Sequence, residues 1–314
     1  MSYASQYHEP VLCNTVIQGL VSRTDGIYVD GTLGGGGHTA ALLDALDSSG
    51  RVVAIDRDDD AIRETSKRLS PDLASGRLTV LKGNFADVKL LLAEAGIAKV
   101  TGFLLDLGVS SHQIDEAGRG FSHRKDGPLD MRMDRSQGVD ANELVNQLDV
   151  EELARLLRRF GEQPRSGRIA RAIIRARPLS GTEDLSRLIR DLAPRGQEAK
   201  TLSRVFQAFR IAVNEELDAL DRVLLDSEAI MEVGARLAVI SYHSLEDRRV
   251  KRYMRSGNLE GEVQRDVFGN QITPWRMITR KPIMADEAEI RDNPRSRSAR
   301  LRIVERLNDS ESSR

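Results

Sequence analysis

Val29-Asp30-Gly31-Thr32-Leu33-Gly34-Gly35-Gly36-Gly37-His38 decides the fold of this 314-residue chain. An apolar, β-type stretch, Ile27-Tyr28-Val29, runs into an acidic residue and a loop of five glycines, and a helical pattern follows through Ala41, Leu42, Leu43 and Leu46. Glycine has no Cβ, so its backbone amides approach a ligand closely and the chain turns where other residues cannot. Strand, glycine loop and helix in that order put the ligand at the C-terminal edge of a sheet, where helix N-termini also point. The expectation is an α/β fold built around a nucleotide-like cofactor.

The pattern continues outward from this run. Residues 27–30, 51–56, 78–81 and 102–106 read as strands, with helical patterns over 39–46, 59–69 and 86–95 between them. Such alternation of apolar strands with helices predicts a mostly parallel sheet covered on both faces. It stops at 109–135, a loop-like stretch rich in Gly, Ser, Asp and His. Helix signals follow: Asp140 with Glu143 and Asp149 with Glu152 resemble capping boxes, and Thr182 is expected to cap a helix bearing Leu185, Leu188, Ile189 and Leu192. One long helix over 202–231 then leads back, Gly234 ends it, and 236–241 is a fifth strand. Residues 277–280 and 299–304 are expected to close the sheet as an antiparallel pair. The expected domains are a discontinuous catalytic domain (1–109 and 205–306), an inserted helical substrate-recognition domain (110–204) and a frayed tail (307–314).

Composition bounds the class. Hydrophobic residues make up 40% and charged residues 30%, as in an ordinary globular protein. No apolar run approaches the roughly 20 residues of a membrane-spanning helix. The opening Met1-Ser2-Tyr3-Ala4-Ser5-Gln6 lacks the basic-then-apolar order of a secretion signal. Cys13 is the one cysteine, so no internal disulfide forms, and a reducing, cytoplasmic setting is expected. Net charge is −1, yet eleven arginines and no lysine lie between Arg155 and Arg195, against four acidic residues. Six more lie between Arg291 and Arg306. Solvated helix faces account for single arginines; two clusters favour a phosphate-bearing substrate, with Arg168, Arg171 and Arg175 as candidate contacts.

The other strand ends narrow the cofactor. Asp56 follows the second strand, twenty residues beyond Gly36, where an acidic residue accepts hydrogen bonds from a ribose diol. Gly83-Asn84-Phe85 follows the third strand and Asp106-Leu107-Gly108 the fourth. Turn chemistry explains any one of these, but poorly all together. ATP or GTP is disfavoured because no lysine follows Gly37, and the dehydrogenase glycine spacing fits only loosely. S-adenosylmethionine fits better.

Eight segments carry a resemblance: His8-Glu9-Pro10-Val11-Leu12, DGTLGGGGH (30–38), AIDRD (54–58), LLDLGVSS (104–111), RGFS (119–122), DGPLDMRMD (126–134), FRIAVNEEL (209–217) and ISYHSLEDRRVK (240–251). Nearly from end to end, the chain resembles the MraW-type methyltransferases, the small-subunit ribosomal RNA methyltransferase H family. The resemblance implies a Rossmann-like sheet and transfer of a methyl group from S-adenosyl-L-methionine to the exocyclic 4-amino group of a cytidine in the decoding region of 16S rRNA. It implies that Gly36, Gly37 and His38 line the methionine and ribose end of the cofactor. Asp56 would hold the ribose, Phe85 would pack near the adenine, and Asp106 and Gln113 would complete the site. Expected partners are 16S rRNA in the small ribosomal subunit and a second copy of the chain in a homodimer.

The chemistry limits the choices. A cytosine amino group is a poor nucleophile because its lone pair is delocalised, so acceptors aimed at its protons help. Asp106 is one candidate. Many amino methyltransferases carry prolines and an aromatic after this strand, and this chain does not. His243 is expected to take a proton and Tyr242 to stack on a flipped base; a helix cap by Ser244 with Asp247 is the plainer alternative. Attack through ring carbon 5 needs a cysteine nucleophile, and Cys13 reads as a packed helical residue remote from the strand ends. Methylation of a 2′-hydroxyl is disfavoured, since no lysine follows strands four or five until Lys251. The loop 127–134, with Asp130 and Arg132, reads as a substrate-side lid, with methionine as gap filler the alternative. The five histidines are scattered and no metal is expected. A methyltransferase for a small molecule or protein, and a non-catalytic cofactor-sensing RNA-binding module, are the rival readings.

Overall fold

A computed structural model describes residues 10–308. His8 and Glu9 of the first motif, and 309–314 of the expected tail, lie outside the described residues. The chain divides into two compact units, one running to Gly108 and resuming at Leu217, the other Val109–Glu216.

In the first unit, β1 (Ile27–Asp30), β2 (Arg51–Asp56), β3 (Leu78–Lys82), β4 (Val100–Asp106) and β5 (Met231–Ser241) pair in parallel. A small hairpin, β6 (Gln264–Arg265) with β7 (Gln271–Ile272), stands apart from the sheet. β8 (Trp275–Met277) and β9 (Arg300–Arg306) complete a seven-stranded sheet in the order β3-β2-β1-β4-β5-β9-β8, with β9 antiparallel to both neighbours. Strand order runs outward in opposite directions from β1 and β4. Their C-terminal ends therefore diverge into a crevice, the usual ligand position in such sheets.

Successive strand residues point to opposite faces. Val29, Val53, Ile55, Phe103, Leu105 and Val239 pack in one apolar layer, and Tyr28, Val52, Ala54, Leu104 and Ile240 in the other. Helices cover both layers, which is why the strands read as continuous apolar runs.

Two expectations are corrected here. The helix expected over 202–231 is two helices, Glu198–Asn214 and Glu216–Ile230, because Glu215 turns into the left-handed region at φ 49°. The fifth strand begins at Met231, ahead of 236. Gly234, at φ 81°, lies within it, where the pairing with β4 jumps from Val100–Met231 to Gly102–Arg236. A bulge of this kind needs a positive φ that only glycine adopts cheaply.

The second unit is helical, with Ala141–Gln147, Val150–Gly161, Ser166–Ala176, Thr182–Leu192 and Glu198–Asn214 around a core of Leu153, Leu157, Ile169, Ile173, Leu185, Val205 and Phe209. Asp140 caps the first by accepting from Glu143 N, and Asp149 with Glu152 forms a full capping box on the second. Thr182 is not a cap. Gly181 takes that position, because the Thr182 hydroxyl donates to Lys125 O at 2.8 Å and accepts from Gly127 N at 3.0 Å.

The loop 127–134 is packed rather than poised as a lid. Leu129, Met131 and Met133 enter the helical core. Asn214 Nδ2 donates to Met131 O at 2.7 Å, and its Oδ1 accepts from Met133 N at 2.9 Å. The buried Arg119 guanidinium donates to Arg132 O and Met133 O. Methionine as gap filler is the reading that holds.

Candidate active site

The glycine loop is tied to its neighbours from both sides. Gly31 N donates to Leu104 O, and Leu33 N to Ile55 O, extending the β1–β4 and β1–β2 pairing past the strand ends. Asp30, nearly fully buried, accepts from Thr32 N at 3.1 Å and from the Thr39 hydroxyl at 2.7 Å, which fixes the loop's entry and exit. Gly34 and Gly36 sit at φ 47° and 69°. A Cβ on Gly36 would lie 2.5 Å from Thr65 Cγ2, so the helix Asp59–Arg68 packs directly on the loop. Thr65 and Arg68 of that helix donate to the carbonyls of Gly34 and Gly35.

Asp56 ends β2 with its carboxylate turned back to this loop. Oδ2 accepts from Gly34 N at 2.8 Å and Oδ1 from Asp58 N at 2.9 Å. Burial pushes its pKa up to about 6, against the pull of those two N–H groups. Each oxygen keeps acceptor capacity that is unmet among the described residues, and a sugar diol would fill it. A nucleoside cofactor therefore fits these residues.

Asp106 ends β4 beside the loop. Its backbone N–H donates to Thr32 Oγ1 at 2.7 Å, and its Oδ1 accepts from the Tyr242 hydroxyl at 2.8 Å. Burial and the Asp106 charge raise the Tyr242 pKa well above its ordinary value, so the phenol keeps its proton and stays a donor. Oδ2 lies 3.6 Å from His38 Nδ1. The other His38 nitrogen, Nε2, is 3.0 Å from the Val11 carbonyl, which can only accept, so Nε2 carries the proton. Burial lowers the His38 pKa despite the Asp30 charge, which keeps the ring neutral and leaves a lone pair on Nδ1.

His243 and Tyr242 follow β5, the next strand over. Glu246 accepts from Tyr242 N at 2.8 Å and His243 N at 3.3 Å, so the start of the helix Ser244–Ser256 is held by Glu246 rather than by Asp247. Asp247 instead faces β9, with Oδ1 accepting from Arg302 Nε at 2.8 Å and Oδ2 from Arg300 Nη1 at 3.0 Å. Both His243 ring nitrogens are buried without a hydrogen-bond partner among the described residues, although Glu246 Oε1 lies 3.1 Å from Nε2.

Cys13 opens the helix Cys13–Leu20. Burial, with the charges of Glu289 and Asp106, pushes its thiol up to about 12. The sequence placed this residue remote from the strand ends, yet it feels the Asp106 charge. It stays protonated and is no nucleophile.

Phe85 begins a turn of 3₁₀ helix directly after β3 and packs half-buried on the sheet core. The remaining candidates belong to the second unit. Gln113 forms a capping box with Ser110 on the short helix Ser111–Asp115. Asp130 is buried and pairs with Arg132 Nε at 2.7 Å and Arg135 Nε at 3.3 Å. Arg168, Arg171 and Arg175 are exposed along one side of Ser166–Ala176. Sequence reasoning missed Thr32 and Glu246 as positioning groups. Glu246 was visible as an acid three residues after His243, the capping-box spacing; Thr32 gave no signal apart from its place in the glycine run.

A sequence model of the MraW methylase family matches residues 5–307. The chain belongs to the MraW methylase family. Among curated MraW relatives, the ribosomal RNA small subunit methyltransferase H of Chlorobium luteolum is 47% identical, covering 96% of each chain. That of Phocaeicola vulgatus is 43% identical, covering 98% of this chain and 100% of the relative. Among solved structures, an rRNA methylase from Clostridium thermocellum aligns over 94% of this chain and 95% of its own, at 13% identity and TM-score 0.44. This MraW protein is a methyltransferase, and its cofactor is S-adenosylmethionine.

Proposed function

We propose that this enzyme methylates the exocyclic 4-amino group of a cytidine in the decoding region of 16S rRNA, acting on the small ribosomal subunit in the cytoplasm. The observation that carries the reading is Asp106, clamped between Tyr242 and Thr32 at the end of β4 and beside the glycine loop. S-adenosylmethionine supplies an electrophilic methyl group on a sulfonium. Gly36, Gly37 and His38 would line its methionine side, Asp56 would accept from the ribose diol and Phe85 would pack near the adenine, while Gln113 is assigned to the cofactor by the family resemblance.

In this reading Asp106 accepts a hydrogen bond from the cytosine amino group, which localises the nitrogen lone pair and offsets charge as it develops. His243 then takes the proton the amino nitrogen loses, and Tyr242 keeps the Asp106 carboxylate in one orientation. The helical unit recognises substrate, with Arg168, Arg171 and Arg175 on its phosphates and Asp130 and Arg132 shaping the loop nearby. Two copies form the working homodimer, which sedimentation equilibrium tests.

The deciding experiment incubates the protein and labelled S-adenosylmethionine with undermethylated small subunits, naked 16S rRNA, protein extract or no acceptor. Label on a cytidine 4-amino nitrogen of 16S rRNA is expected. Asp106→Ala and His243→Ala are each expected to lower transfer about a hundredfold or more, with unchanged thermal unfolding. Label on protein or a small molecule, or full activity in both variants, overturns the reading.

A further inference from the structure

The helical unit holds a small polar cavity that the reaction leaves unused. It measures about 190 Å³ and is lined by Gln163, Arg165, Lys200 and Arg204, with Pro164, Ile169 and Thr201 among its walls. No acidic side chain lines it. Among the described residues, Arg165, Lys200 and Arg204 have no carboxylate partner, in a chain where many exposed arginines do.

Gln163 makes this more than a charged surface. The side chain is 5% exposed, and its Nε2 is buried with no hydrogen-bond partner. The Arg165 backbone N–H, 3.5 Å from Gln163 Oε1, sets the amide's orientation, since a flip would oppose two donors. A buried donor without an acceptor is rare in folded proteins and needs a reason. Arg165 and Gln197 are also the residues preceding the helices Ser166–Ala176 and Glu198–Asn214, and neither side chain caps its helix. The N-termini of both helices, with their partial positive charge, thus border the same cavity, although Ser166 N and Arg168 N already donate to Gln163 O and Arg165 O and the Glu198 carboxylate accepts from its own backbone N–H. Glu198, in the first turn of the second helix, accepts from Gly196 N at 2.9 Å.

We infer that this cavity is an oxyanion site that takes one phosphate group. Gln163 Nε2 supplies the fixed donor, Arg165, Lys200 and Arg204 supply charge, and the cavity admits a single phosphate. The phosphate belongs to the backbone of the RNA substrate, which rests on the function proposed above; a free phosphate is the other source of the same chemistry. The site anchors the strand at one point, distinct from the open row Arg168, Arg171 and Arg175.

The test uses the full chain and two variants, Gln163→Leu and the double variant Arg165→Ala/Lys200→Ala. Binding of a labelled 16S rRNA fragment is followed across a salt series, with thermal unfolding in inorganic phosphate against chloride at equal ionic strength. Gln163→Leu removes an unmet donor, so stability is expected to hold or rise while RNA affinity falls about tenfold. The double variant is expected to lose phosphate stabilisation and to lower the salt slope of log K by about one to two. Cofactor affinity stays unchanged in both. Unchanged RNA affinity and salt slope in both folded variants overturns the assignment to RNA, and absence of any phosphate effect on the wild type as well overturns the site. Methyl transfer by the wild type to small subunits, measured in parallel, separates failure of this site from failure of the proposed function.

Discussion

The Tyr242 hydroxyl donates a 2.8 Å hydrogen bond to Asp106 Oδ1, joining the ends of two adjacent parallel strands, β5 and β4. The bond fixes one carboxylate oxygen and leaves the other facing His38. Tyr242→Phe keeps the ring and removes this restraint. It is expected to lower kcat about ten- to a hundredfold through misorientation of Asp106. Stability should change by only about 1 kcal/mol, as for one hydrogen bond. Steady-state methyl transfer and urea unfolding check both.

Asp56 predicts a pH dependence for cofactor binding. Its pKa is raised to about 6 by burial, and a diol donates more strongly to the ionised form, which accepts on both oxygens, than to the protonated one. Affinity for S-adenosylmethionine is therefore expected to rise as pH increases through about 6 and to flatten above it. The sign for folding is opposite: the folded state favours the protonated carboxyl, so this group's contribution to stability falls between the ordinary aspartate pKa and about 6. Calorimetric titration from pH 5 to 8 tests the first statement, and Asp56→Asn should flatten the profile.

Gly36→Ala places a Cβ 2.5 Å from Thr65 Cγ2 at a residue with φ 69°. Left-handed backbone alone costs an alanine about 1–2 kcal/mol, and the loop must also move off the helix Asp59–Arg68. A loss of about 1–3 kcal/mol in stability is expected, with weaker cofactor binding. A variant that binds cofactor as tightly as the wild type would show that this glycine is not needed for the loop's shape.

Asp247 ties the helix carrying the active-site approach to β9 through Arg302, which is 4% exposed. Burial alone would raise the Asp247 pKa, but Arg302 and Arg300 hold it below the ordinary range. The pair's contribution is complete above the usual aspartate pKa and is lost as pH falls through the depressed one. Asp247→Ala strands a buried guanidinium and is expected to cost about 3–5 kcal/mol. Denaturant midpoints at pH 7 measure it.

Cys13 carries the simplest prediction. Its thiol, pushed up to about 12, holds no useful thiolate at neutral pH. Cys13→Ala should leave methyl transfer at the wild-type rate; loss of activity in a folded variant would reopen attack through ring carbon 5.

Legibility followed the range of the interactions. The β1–glycine loop–helix unit, the acidic strand ends at Asp56 and Asp106, the N-cap at Asp140 and the capping box at Asp149 are set by neighbours in the chain and were readable, although the box expected at Asp140 is only its Asp half. The break at Glu215 was not, since glutamate favours helix and gives no local stop. The methionine loop misled for the same reason. Its alternating charges suggested exposure, while Asn214, more than eighty residues downstream, holds it in the core.

The sequence by itself determined the sheet's parallel half, because periodicity is a property of the chain, and its motifs pointed to the methyl-donor class and, by resemblance, to the family. Tertiary structure alone decided what each polar group faces. It turned Tyr242 toward Asp106, gave His38 a neutral ring against the Val11 carbonyl, and left Gln163 buried with an unanswered donor. The glycine run announced a cofactor loop. That it also bears on Thr65 and Asp56 depends on strands and helices far along the chain, whose packing no local pattern records.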